Sequence, residues 1–220
     1  MNRRFAKAIF ALTTVVSAAV ASTIGAIPAW ATVTCPSDIN NTTVNDSVVV
    51  PPGATCVIFN STVTGSVQVG ANASITLVGA TVRGDFVTNG AHDVRVGNCL
   101  EFGCEVSRPT VVNGTVSIRG TSGVPSFPTK NVICDATFTG GNVVLQNNSA
   151  PFAIGVDPQC NFGGGNRIGG SLVLYGNTAP ITLTGNQISG YLQCVGNSPA
   201  PTNGGANTAA GGKFGQCAAF

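Results

Sequence analysis

From residue 65 onward, apolar side chains alternate with polar or small ones in bursts of about four residues. The bursts themselves recur. Each opens on a glycine, at Gly65, Gly84, Gly114, Gly141, Gly170, Gly190 and Gly212, with spacings of 19, 30, 27, 29, 20 and 22. The segments read GSVQV, GDFVT, GTVSI, GNVVL, GSLVL, GYLQC and GKFGQ. The second residue after each glycine is apolar: Val67, Phe86, Val116, Val143, Leu172, Leu192 and Phe214. Period two marks a strand with one face turned inward. A second strand follows a Gly/Asn corner, at Ile75–Leu77, Val94–Val96, Phe152–Ile154 and Ile181–Leu183. One more apolar residue precedes the next glycine, at Val63, Val82, Val112, Ile168 and Ile188. Phe138 joins this set if Gly140–Gly141 carries one extra residue as a bulge.

A unit this short cannot bury its own apolar face, but stacked copies can. The pattern predicts an all-β, single-domain parallel β-helix of roughly seven to eight coils. The competing fold is an antiparallel β-sandwich, whose short strands have similar spacing. The glycines and asparagines are placed at corners that require positive φ. Asn148, Asn177 and Asn197 fall at equivalent corners and are candidates for a stacked amide ladder. The units beginning at Gly84, Gly114 and Gly141 are predicted to be enlarged at one common corner, which carries Cys99, Cys104, Cys134 and Cys160.

The first thirty-one residues break the pattern. Arg3, Arg4 and Lys7 precede an apolar run, and Ala29-Trp30-Ala31 has the form of a cleavage site. This is the order of an export signal, with cleavage after Ala31. The predicted organisation is therefore a signal at 1–31, an N-terminal capping coil at 32–64, coils at 65–189, and a C-terminal capping coil with tail at 190–220. Beyond the signal, seven basic residues face eight acidic ones, so the mature chain would carry a formal net charge of −1. No basic patch points to nucleic acid, and no second long apolar run points to a membrane.

All eight cysteines lie beyond residue 31. An even count in an exported chain, without a C-x-x-C pair, predicts disulfides rather than a metal site. The expected pairs are Cys35–Cys56, Cys99–Cys104, Cys134–Cys160 and Cys194–Cys217, with Cys104–Cys134 as an alternative in the enlarged region. The first and last pairs would clasp the open ends of the stack.

Chemistry is sparse. No metal-binding or cofactor motif occurs. His92-Asp93 is the only His–acid pair, and a dyad would need a Ser or Cys converging from another coil. Its plainer reading is a solvated corner. Were the chain a carbohydrate-active enzyme, its carboxylates would be Glu101, Glu105, Asp93 and Asp85. Glu101 and Glu105 flank Cys104, with Arg108 nearby, and form the densest charged spot. Rows of outward threonine could order water as an ice-binding surface does, but in the second strand Arg95 and Ala153 interrupt Thr76 and Thr182.

The tail YLQCVGNSPAP…NTAAGGKFGQC, with the I-T-L-x-G-N-x-I-x-G units upstream, resembles secreted repeat proteins of actinobacterial type that carry no assigned activity. The resemblance implies export and a solenoid fold, and it supplies no site. The first expectation is thus a secreted, non-enzymatic solenoid with a structural or adhesive role at the cell envelope, its partner a polysaccharide or cell-wall component. A polysaccharide lyase or hydrolase is the second.

Overall fold

A single turn of the chain shows how the pattern becomes structure. Residues Leu172–Tyr175, Ile181–Thr184 and Gln187–Ile188 form three short strands joined by tight corners. Leu172, Leu174, Ile181, Leu183 and Ile188 all point inward and are buried. Burial of each contributes about 1.5–3 kcal/mol, yet only a neighbouring turn above and below completes the burial. The computed structural model describes residues 32–35, 38–97, 108–126, 130–158, 160 and 165–220. Over these the turns stack as a parallel β-helix with three sheets of nine, eight and eight strands. The first sheet runs from Thr32–Thr34 to Lys213–Gly215. The second runs from Asp38–Asn40 to Thr202–Gly205, and the third from Thr43–Val44 to Thr208–Ala209. Every pairing joins a strand to its counterpart in the next turn, in parallel, so the sandwich alternative is excluded. Residues 32–64 make two turns, holding two strands of each sheet.

Three corners hold the stack in register, two with asparagine ladders and the third with side-chain oxygens that accept backbone N–H groups. At the first-to-second corner Asn148, Asn177 and Asn197 form the expected ladder. Asn148 donates to Asn177 at 2.8 Å, Asn177 donates to Asn197 at 2.8 Å, and Asn197 donates to Gln216 at 3.0 Å. A second ladder of Asn166, Asn186 and Asn207 runs up the second-to-third corner. At the third-to-first corner, hydroxyl and carboxyl oxygens accept the backbone N–H of the following turn. Ser47 accepts from Ser66, Ser66 from Asp85, and Asp85 from Thr115. A low-dielectric stack tolerates these polar groups because each is paired.

The anchor glycines have a different cause from the one expected. Gly65, Gly84, Gly114, Gly141, Gly170 and Gly190 do not have positive φ. They are glycine because the turns meet backbone to backbone at this corner. A Cβ on Gly190 would lie 2.8 Å from the Gly170 carbonyl carbon. Left-handed residues occupy the other two corners, as at Asn147 and Gly176, and at Asn60 and Asp135.

Two further expectations are corrected. The extra residues of the Gly114 unit lie between Arg119 and Asn131, at the first-to-second corner, and so do not share the corner enlarged in the Gly84 and Gly141 units. The last anchor is displaced by one. Gly211, rather than Gly212, continues the bond from Gly190, and Leu192 pairs with Lys213 while Gln193 pairs with Phe214. A one-residue slip reverses the face of a strand, so Phe214 is exposed instead of buried. The bulge at Gly140–Gly141 is present as one more residue between Phe138 and Val143 than between Val112 and Val116.

Three of the expected disulfides are formed. Cys35–Cys56, Cys134–Cys160 and Cys194–Cys217 have Cα separations of 6.0, 6.1 and 5.4 Å. The Cys134 bond to Cys160 excludes Cys104–Cys134. Cys99 and Cys104, like the predicted export signal, lie outside the described residues. At the C-terminal end Phe220 packs against the core, and Lys213 donates through Nζ to the Phe220 carbonyl, closing the last turn.

Candidate functional site

The candidate acids are drawn apart or put to structural use. Asp85 precedes the first-sheet strand Phe86–Asn89, whereas Asp93 opens the second-sheet strand Asp93–Val96. They stand at different corners of one turn. Asp85 is committed to the corner ladder, holding the Thr115 N–H at 2.8 Å. Glu101 and Glu105 lie outside the described residues.

Around Asp93 the fold does bring a hydroxyl in from the preceding turn. Ser74 and Asp93 are register partners, and the Ser74 hydroxyl donates to Asp93 Oδ2. His92 Nδ1 lies 3.1 Å from the same oxygen, and Arg95 Nε lies 3.5 Å from Oδ1. A nucleophilic triad requires the serine on the histidine and the histidine on the acid. Here both serine and histidine meet the acid, so no base faces the hydroxyl. The expected solvated corner holds for His92, whose side chain is 49% exposed, but not for Asp93, at 5%. The arrangement is an ion and hydrogen-bond cluster pinning two turns.

The cluster belongs to a larger cover on the outer face of the second sheet. Thr76, Val132 and Ala153 are in outward register, yet all are buried. Val132, Cys134, Ala153 and Cys160 form a second apolar cluster there, separate from the main core. Lys130 pairs with Asp157 at 2.8 Å beside it. Cys134, Asp135 and Cys160 come within metal-ligand distance of one another, but the two sulfurs are bonded to each other and offer no thiolate. The second face is therefore built over, at least across its middle turns.

The other two faces are open. On the third sheet, Thr43, Thr62 and Thr81 stack in register, followed by Val111, Thr137, Arg167, Gln187 and Thr208. A trough of about 900 Å³ lies over Thr137, Arg167, Gln187 and Thr208. A smaller hollow of about 330 Å³, lined by Arg108, Asp135 and Arg167, adjoins it.

On the first sheet one outward row reads Val49, Gln68, Val87, Ser117, Val144, Val173, Gln193 and Phe214, without a charge. The neighbouring row reads Asn89, Arg119, Gln146, Tyr175 and Val195. Both tyrosines of the chain, Tyr175 and Tyr191, lie on this side, and both are exposed with Val195 and Phe214. Tyr191 and Phe214 meet edge to face, with ring centroids 6.3 Å apart. Sequence reasoning missed this patch because it counted Phe214 as core and never read the outward positions of the first strand as a set.

No protein family, curated protein or solved structure matches this chain.

Proposed function

We propose that this chain is an exported, non-enzymatic β-solenoid that binds a polysaccharide or another cell-wall polymer at the cell envelope. The observation that carries the reading is how the polar chemistry of the described residues is used. Asp85, Asp93, Ser74 and the two asparagine ladders are engaged in holding one turn to the next. What remains available is two long open faces, and extended faces suit extended polymers. Export is supported by the signal-like leader and by three disulfides, which persist in oxidising compartments. No helix among the described residues is long and apolar enough to cross a membrane.

The alternative is a carbohydrate-active enzyme working through Glu101 and Glu105. An ice-binding role would rest on Thr43, Thr62 and Thr81, a run that Val111 ends after three turns. The test is co-sedimentation of the purified, oxidised protein with cell-wall fractions and a polysaccharide panel, with release of sugar products assayed in parallel. Binding without product release is expected. Product release that the Glu101→Gln, Glu105→Gln double variant abolishes would establish the enzyme reading in its place. Absence of binding to every polymer would refute the binding reading.

A further inference from the structure

We infer that the exposed aromatic patch on the first sheet is the ligand site, and that it takes a neutral, β-linked polysaccharide chain lying flat across the face. This rests on the polymer-binding reading above and specifies its place and chemistry. Six large hydrophobic residues are exposed among the described residues, and four of them, Tyr175, Tyr191, Val195 and Phe214, gather here. A contiguous exposed apolar patch on a soluble protein marks an interaction surface. Tyr175 and Tyr191 are the only tyrosines in the chain, and their rings combine an apolar face with a hydroxyl able to bond at the edge.

Three features select a sugar polymer. The surface around the rings is a sheet face, so it offers an extended platform. The two outward rows carry one charge, Arg119, two strands below Tyr175 and on the far side of Gln146. Lys213 shares a strand with Phe214 but sends its ammonium to the Phe220 carbonyl. An uncharged face matches an uncharged ligand. Finally, Gln146 pairs with Tyr175 and Gln193 with Phe214, which sets an amide beside each ring. Rings stack on the C–H faces of pyranoses, and amides exchange hydrogen bonds with the equatorial hydroxyls. Tyr175 and Phe214 lie two strands apart along the stack and two residues apart along the strand direction, roughly 12 Å in all at the usual strand dimensions. That is close to the length of two extended pyranose units, so both rings can serve one chain.

The test uses the full, oxidised protein with microcrystalline cellulose and chitin as probes, alongside polygalacturonate, phosphatidylcholine vesicles and size-exclusion chromatography with light scattering. The expected result is binding to cellulose or chitin that is insensitive to 1 M salt, where surface charge is screened. It should weaken at least about tenfold in Tyr175→Ala, Phe214→Ala, as a central contact residue would predict. The third-face variant Thr62→Val should bind like wild type. Thermal unfolding of each variant reports whether the fold is intact, which exposed side chains should leave unaltered. Wild-type binding that the aromatic double variant retains would overturn this site while leaving the polymer-binding reading standing. Salt-sensitive binding to polygalacturonate alone would do the same. Binding to vesicles alone, or a dimer that the double variant dissolves, would overturn the sugar assignment. Absence of all polymer binding would overturn both.

Discussion

Replacement of Asn177 by alanine tests the account of the stack most directly. Asn177 is fully buried at the middle of the first ladder. Its Oδ1 accepts from Asn148 N at 3.0 Å and Asn148 Nδ2 at 2.8 Å, and its Nδ2 donates to the Leu145 carbonyl at 3.1 Å and Asn197 Oδ1 at 2.8 Å. Truncation leaves the Asn148 amide without a partner. Asn148 Nδ2 keeps its bond to the Ile118 carbonyl, and Asn197 Oδ1 keeps the Asn177 backbone N–H. One donor is thus fully stranded and two or three groups are partly so. At about 1–3 kcal/mol for a stranded buried group, the loss comes to about 3 kcal/mol. Asn177→Asp restores acceptors for Asn148 but turns a carboxylate toward two carbonyl-type oxygens, so it should be no more stable than Asn177→Ala. Exposed Asn89→Ala should change stability by less than about 0.5 kcal/mol. Urea unfolding with disulfides intact gives the totals. Because stacked units can open separately, exchange of the Asn148 amide supplies the local value, and its protection should fall about a hundredfold. A loss below about 1 kcal/mol for Asn177→Ala, close to that of Asn89→Ala, would refute the claim that the ladder holds the turns in register.

Three other outcomes follow from the packing. Thr88 points into the core of the first sheet between Val69 and Ile118, and its hydroxyl has no partner; Thr88→Val should stabilise by about 1 kcal/mol in thermal unfolding. Gly190→Ala should cost more than about 2 kcal/mol, since its Cβ would press on the Gly170 backbone, whereas the same change at Gly53, which has open space around it, should cost only its positive φ, about 1 kcal/mol. Cys134→Ser, Cys160→Ser should loosen the cover of the second face, raising proteolysis near residues 156–160 before global unfolding, because that disulfide lies in the outer cluster rather than the main core.

The period-two bursts identified the inward residues of all three sheets because a stacked strand has one environment per face, and burial of Val67 or Leu172 is dictated by that face alone. The Asn148–Asn177–Asn197 ladder was legible for the same reason: equal offsets from equal corners superpose. The Asn166–Asn186–Asn207 ladder had a comparable signal, an asparagine two residues before Ile168, Ile188 and Ala209, and went unread. Phe214 was misplaced because a single extra residue at Gly211–Gly212 reverses its face, and only the pairing partner reveals the count. Ser74 and Asp93 each stand nine residues after their anchors, Gly65 and Gly84, so their pairing carried the same signal of equal offsets and went unread.

The chain by itself determined the coil, its inward residues apart from Phe214 and the two disulfides at its ends, because these follow from periodicity and from where the equivalent positions fall; Cys134–Cys160 was decided against Cys104–Cys134 only by the structure. The tertiary structure decided what happens on the outside. Outward positions take polar, small, aromatic and valine side chains with no constraint from the core, so their meaning depends on which turns stack beside them and what lies over them. That is why Thr76 and Val132 are buried under a cover, why Asp85 serves a corner, and why two tyrosines and a phenylalanine from different turns meet on one open face.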